Sequence, residues 1–374
     1  MQLYHNLILD ALKNVRYPGD GKNIVEKEMV EDDIRIDGNK VTFSLIFDKP
    51  TDPFIRSVVR AAETAINTYI SPAVEIKGNI STKFRKEPEA RPEVLPGVKN
   101  IIGISSGKGG VGKSTVSANL AVALAAMGYK VGLLDADIFG PSMPKMFGVE
   151  DEPIYMVNKN NHDYIEPIDK YGVKMLSIGF LVDKEKAVLW RGGMASNALK
   201  QLITDAWWGD LDYFLIDMPP GTSDIHLTLV QTLPITGVVV VSTPQEVALA
   251  DARKGIAMFQ NPGVNVPILG LVENMAWFTP EQHPDERYYI FGKEGGKELA
   301  HKLGVRLLAQ IPLVMDIREH ADDGEPVAVA LETDPATANA DACAFGELAR
   351  NVVEAVEQRN RDLPATEKVE VTKK

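Results

Sequence analysis

The stretch from Ile101 to Thr115 narrows what this chain can fold into more than any other. An apolar run, Ile101-Ile102-Gly103-Ile104, leads into Gly107-Lys108-Gly109-Gly110-Val111-Gly112-Lys113-Ser114-Thr115. Residues Val116 to Met127 then read as a helix, with Gly128 as its stop. Strand, glycine-rich loop and helix in that order, with the spacing G-x-x-x-x-G-K-[ST], make a phosphate-binding loop. Glycines let backbone N–H groups converge on phosphate oxygens without Cβ clashes. The positive end of the helix dipole points at the same place. Lys113 is expected to bind the β/γ-phosphates, Ser114 to ligate Mg²⁺ and Thr115 to contact the α-phosphate. ATP and Mg²⁺ are the cofactors this implies.

Further apolar runs recur without strict alternation: Val131 to Leu134, Tyr213 to Ile216, Val238 to Val241, Ile268 to Val272 and Leu307 to Ile311. Strands apolar on both faces belong to a parallel sheet covered on both sides by helices. The expected fold is α/β, a doubly wound parallel-sheet P-loop NTPase domain over 99–360, preceded by a small α/β domain over 1–82. In that first part, Leu3, Leu7, Ile8 and Leu12 sit at helical spacing, and so do Phe54, Val58, Val59, Ala62, Ile66 and Ile70. Strands are expected at Ile34-Arg35-Ile36, at Val41 to Phe47 and at Val74-Glu75-Ile76, with Asp37-Gly38-Asn39 as a turn. Pro88, Pro92 and Pro96 mark residues 83–98 as an extended linker. The last helix is expected from Ala342 to Arg359, with Phe345, Leu348, Val352 and Val356 inward, and a disordered tail over 361–374.

Two more strand ends carry carboxylates. Tyr213-Phe214-Leu215-Ile216-Asp217 has the Walker B form, in which Asp217 holds Mg²⁺ through water. Leu133-Leu134-Asp135-Ala136-Asp137 ends with two aspartates, which either take part in the chemistry or cap the following turn. Asp224 is expected to cap a helix beginning at Ile225.

With 40 basic and 52 acidic residues the formal charge is −12, which disfavours generic nucleic-acid binding. Cys343 is the one cysteine, so no intramolecular disulfide can form. The N-terminus lacks a signal-peptide pattern, and no apolar run approaches the ~20 residues that span a bilayer. A cytoplasmic protein with no nucleic-acid or membrane partner is the expectation.

Lys108 inside the loop adds a family resemblance. The Lys-Gly-Gly-Val-Gly-Lys-Ser spacing is similar to that of the deviant Walker A ATPases, which include nitrogenase iron protein and the Min and Par ATPases. The resemblance implies a homodimer in which Lys108 reaches the partner's nucleotide. It places Asp137 as the group that orients or deprotonates the attacking water, making Lys108, Lys113 and Asp137 the catalytic set. Met218-Pro219-Pro220-Gly221-Thr222 resembles a switch sensing the γ-phosphate, and Asn274, with Gln310-Ile311-Pro312, falls where adenine is held.

Trp190-Arg191-Gly192-Gly193-Met194, Trp208-Gly209-Asp210-Leu211-Asp212-Tyr213, Asp217 to Thr222 and Val272-Glu273-Asn274-Met275, together with the N-terminal part, resemble the Mrp/ApbC iron–sulfur cluster carriers. This implies slow ATP hydrolysis and transfer of Fe–S clusters, with apoprotein clients or Fe–S assembly partners. The Cys-x-x-Cys usual in that family is missing: its positions fall at about Pro280 and His283, and a further cysteine site reads Asp52-Pro53. Fe–S ligands are therefore not evident, and Cys343 is expected to be a buried structural thiol. A nucleotide-gated adaptor or a Min/Par-like switch ATPase without a cluster of its own is the alternative.

Overall fold

The computed structural model describes residues 3–18, 22–47, 52–84, 94–138, 140–159, 162–181, 192–280, 282–283, 285–333, 339–366 and 368. Trp190, Arg191, most of the expected linker and most of the tail beyond 366 lie outside them. The chain divides into two compact units, Met1–Pro92 and Glu93–Lys374.

The first unit holds helix α1 (His5–Leu12), strands β1 (Arg35–Asp37) and β2 (Lys40–Phe47), helix α2 (Ile55–Tyr69) and strand β3 (Ile80–Phe84). β2 lies between β1, antiparallel to it, and β3, parallel to it. Alternate residues Val41, Phe43, Leu45 and Phe47 point inward from β2, onto Ile8 and Leu12 of α1 and Val58, Ala62 and Ile66 of α2. The strand expected at Val74 to Ile76 is corrected. Its one ladder contact is an isolated bridge between Glu75 and Lys40, and the third strand is β3. Val74 and Ile76 are buried as turn residues that plug the core. A short apolar alternation does not distinguish the two uses.

The second unit begins with β4 (Val98–Ser106), α3 (Lys113–Ala126), β5 (Val131–Asp135), α4 (Met143–Met146), the hairpin β6 (Met156–Lys159) and β7 (His162–Ile165), then β8 (Ile168–Lys170) and β9 (Val173–Ser177). It continues with α5 (Gly192–Thr204), β10 (Leu211–Asp217), α6 (Asp224–Thr232), β11 (Gly237–Ser242), α7 (Glu246–Gln260) and β12 (Ile268–Glu273). It ends with α8 (Gly295–Leu303), β13 (Leu307–Gln310), α9 (Met315–Asp323), α10 (Ala330–Thr333) and α11 (Ala340–Asp362).

Eight strands form one sheet in the order β13-β12-β11-β4-β10-β5-β9-β8. All neighbours pair parallel except β8, an antiparallel edge. The sheet is buried on both faces. Ile102 and Ile104 pack with α3 and α11, whereas Ile101 faces the layer containing Leu199, Leu229 and Phe259. This explains why these strands read as unbroken apolar runs. α3 sits between the sheet and α11, and its alanines at 118, 121 and 123 are buried there. β3 extends to Phe84, two residues past the expected end of the first domain, α11 runs to Asp362, three past the expected end of the last helix, and β4 starts at Val98, inside the expected linker.

Candidate functional site

The site grows from the carboxyl ends of three adjacent central strands, where open α/β sheets bind ligands. β4 feeds the glycine loop, and its neighbour β10 ends at Asp217, opposite Asp135 at the end of β5. The loop is shaped by two glycines. A Cβ at Gly107 would come within 2.2 Å of the Asp251 backbone, so the loop lies directly on α7. Gly112 has φ +80°, which glycine alone adopts readily, and a Cβ there would meet Asn274 Nδ2 at 2.2 Å. Gly109 and Gly110 are exposed, Val111 is buried, and Lys108 is partly buried with its carbonyl accepting from Ser106 Oγ at 3.0 Å.

Lys113, in the first turn of α3, is only 6% exposed. Its Nζ donates to Asp217 Oδ2 at 2.7 Å and to Ser114 Oγ at 3.2 Å, and stands 3.6 Å from Asp137 Oδ2. Ser114 Oγ donates to the same Asp217 oxygen at 2.7 Å, and Ser117 Oγ donates to Asp217 Oδ1 at 2.6 Å. Lys113, Ser114, Asp137 and Asp217 therefore form one buried cluster. A charge this buried persists only when paired, and Lys113 supplies the compensation for Asp217. Ser114 Oγ and Asp217 Oδ2 are neighbouring hard oxygen donors of the type Mg²⁺ takes, so the residues fit that ion. Ser117 escaped sequence reasoning. The signal was its position three residues after Ser114, on the same helix face.

Asp135 separates from Asp137 by its surroundings. Its Oδ1 accepts from Asp137 N at 3.1 Å, and its Oδ2 accepts from Met143 N at 3.2 Å and Ser177 Oγ at 2.8 Å. Burial, and then the charge of Asp217, pushes its pKa up to about 7. It braces the turn that presents Asp137.

Asn274 follows β12 and turns its amide onto the loop: Nδ2 donates to Val111 O at 2.8 Å. Gln310 Nε2 donates to Glu273 Oε1 at 2.7 Å, and Gly296 N at the start of α8 donates to Glu273 Oε2. Glu273 is a fully buried carboxylate at a helix N-terminus, where the dipole favours a negative charge. Pro312, partly buried, follows Ile311, whose N–H donates to Glu273 O at 2.9 Å.

The segment after Asp217 bonds back to the loop strand: Met218 N donates to Ile104 O at 3.0 Å and Gly221 N to Ser106 O at 2.8 Å. The cap of α6 is Ser223, and Asp224 is the first helical residue, which corrects the expected cap. His226 completes a capping box, its Nδ1 accepting from Ser223 N at 3.2 Å. Burial pushes its pKa down to about 4.

The expected buried thiol is also corrected: Cys343 is exposed on α11. His283 is exposed, with Nδ1 3.6 Å from Glu286 Oε1. Among the described residues no group of three or more His, Cys, Asp or Glu side chains could hold a metal ion. Nor, among them, is any helix long and apolar enough to cross a membrane.

A doubly wound parallel sheet whose central strand feeds this glycine loop, with lysine, serine and strand-end aspartates gathered beside it, defines a P-loop NTPase. The family described as NUBPL iron-transfer P-loop NTPase matches residues 97–352, and that described as iron-sulfur cluster assembly protein matches residues 6–77. The chain belongs to this iron-transfer P-loop NTPase family. It is similar to the iron-sulfur cluster carrier protein of Synechocystis sp., 45% identical over 323 residues, which cover 86% of this chain and 90% of that protein. It is also similar to the iron-sulfur cluster transfer protein NUBPL of Dictyostelium discoideum, 39% identical over 316 residues, 84% of this chain and 93% of that protein. Among solved structures it resembles the nucleotide-binding protein from Archaeoglobus fulgidus in complex with ADP, with a TM-score of 0.56 and 37% identity. The match covers 67% of this chain and 93% of that one.

Proposed function

We propose that this chain is a cytoplasmic, slowly turning over Mg·ATP hydrolase that works as a homodimer and serves iron–sulfur cluster delivery to apoproteins. The observation that carries the ATPase is the buried cluster of Lys113, Ser114, Asp137 and Asp217 beneath the glycine loop. The names of its relatives support the iron–sulfur role.

In this reading the loop amides from Gly107 to Thr115 cradle the phosphates, and Lys113 exchanges Asp217 for the β- and γ-phosphate oxygens. Ser114 and Asp217 hold Mg²⁺, which neutralises phosphate charge when bound. Asp137 accepts a hydrogen bond from the attacking water and takes its proton as the bond from water oxygen to the γ-phosphorus forms. The bond from that phosphorus to the β,γ-bridging oxygen breaks in the same displacement. Lys108 of one protomer contacts the nucleotide of its partner. Asn274 and Pro312 flank the adenine, and Asn274 fits this role because its Oδ1 still offers an acceptor while Nδ2 ties the loop. Phosphate release by purified protein, against Lys113→Ala, tests the reading. Wild-type turnover no faster than that of the variant would sink it.

A further inference from the structure

We infer that this chain handles iron–sulfur cargo without ligating it, the thiolates at both ends of the transfer belonging to the donor and acceptor proteins. This rests on the functional reading above and names the kind of partner it requires: a protein carrying its own cluster-binding cysteines.

The reason is a mismatch between family and side chains. Iron–sulfur clusters are held by about four cysteine thiolates. The 374 residues contain one cysteine, so a pair of identical chains offers at most two. The position of that cysteine makes things worse. Asp341, two residues earlier on α11, lines a cavity of about 310 Å³ with Phe278, Pro280 and Met315. Helical residues two apart do not face each other, so Cys343 turns away from the surface on which Pro280 lies. The imidazole closest in sequence to Pro280 is the exposed His283, which stands beside Glu286. Carboxylates are hard ligands and do not replace thiolates around a cluster. No group of three ligating side chains gathers anywhere among the described residues.

The nucleotide half of the molecule is complete by contrast, and it connects to the ligand-poor segment. Asn274 Nδ2 bonds Val111 O in the phosphate loop, and the chain beyond it is tied to the residue following β13 through Ala276 N to Ile311 O at 2.9 Å. What this chain can contribute to transfer is therefore a nucleotide-dependent change of shape. The ligand exchange itself passes a cluster from thiolates of one partner to thiolates of another.

The test is anaerobic reconstitution of the full chain with ferrous iron and sulfide, with and without Mg·ATP, followed by iron and sulfide counting. The same protein is then added to transfer from a glutathione-coordinated [2Fe–2S] cluster to a plant-type apo-ferredoxin. The expected result is no iron retained above that on Cys343→Ser, with Mg·ATP-dependent acceleration of transfer equal in wild type and Cys343→Ser. Retention of about one cluster per dimer overturns the inference, as does acceleration that Cys343→Ser or His283→Ala abolishes. No iron and no acceleration, with ATP hydrolysis intact, removes the iron–sulfur reading and this inference with it. Absence of hydrolysis in the same preparation instead strikes the ATPase reading, independently of the iron count.

Discussion

Asp135 and Asp137 are two residues apart after the same strand, and only Asp137 was expected in the catalytic set; their environments differ in the same sense. All the bonds described for Asp135 go to the protein itself, whereas Asp137 stands beside the ammonium that would meet the γ-phosphate. Asp137→Asn is expected to lower ATP turnover about 100- to 10,000-fold, the usual worth of a general base. ATP binding, followed by a fluorescent nucleotide, would change little. His226 supplies a second prediction at this scale. Its folded pKa of about 4 lies below the ordinary 6.5, so the unfolded chain binds the extra proton first as pH falls. The stability it contributes is complete above pH 6.5 and is lost as pH falls from there toward 4. The slope reaches about 1.4 kcal/mol per pH unit. His226→Gln keeps an acceptor for Ser223 N and would flatten that part of the denaturation profile. An unchanged profile would show that His226 is not the titrating group.

At the scale of elements, the phosphate loop is held from outside as much as by its own sequence. Asn274, at the end of β12, latches Val111 O, and α7 lies so close under Gly107 that no side chain fits. Asn274→Ala leaves a buried carbonyl without its donor, a loss of about 1–3 kcal/mol. It is expected to weaken nucleotide binding roughly tenfold and to lower the melting temperature. Gly107→Ala is expected to do more, because the Cβ collides with backbone that cannot rotate away. Isothermal titration with Mg·ADP and thermal melting of both variants check the order. Much at this scale was legible beforehand: the apolar runs at β4, β5, β10, β11, β12 and β13 mark six of the eight strands, because strands buried on both faces need unbroken apolar sequence. The edge pair β8 and β9 was not, since three or five residues with a polar side chain at Lys174 leave no such run. Cys343 is a different kind of miss. The inward positions Phe345, Leu348 and Val352 set a helical phase that turns residue 343 outward, and that phase overrides the general tendency of cysteine to be buried.

For the whole molecule, the proposed dimer makes a prediction that a monomeric ATPase does not. If Lys108 serves the partner's nucleotide, Lys108→Ala and Lys113→Ala are each inactive alone. When mixed, they form dimers with one intact composite site. Random pairing would return about a quarter of wild-type turnover. No recovery on mixing would place Lys108 in its own protomer's site. The N-terminal unit offers a separate check, since Ile8, Leu12, Leu45, Phe47 and Ile66 give it a core of its own. A fragment of residues 1–92 is expected to unfold cooperatively by circular dichroism.

The sequence by itself determined the phosphate loop, the parallel α/β class and the carboxylate at the end of Tyr213 to Asp217. Each is written in a continuous stretch whose spacing carries the physics. Glycines permit the loop, apolar runs require two-sided burial, and a carboxylate closing an apolar strand needs polar partners gathered at that end. Only the tertiary structure decided which of those ends converge. Lys113 meets Asp217 across 104 positions and Asn274 meets Val111 across 163. These contacts follow from strand order and register in the sheet, which local periodicity does not encode. The missing thiolates stand between the two. Their number was plain in the sequence, but only the fold shows that, among the described residues, no substitute set of ligating side chains gathers around Cys343, Pro280 or His283.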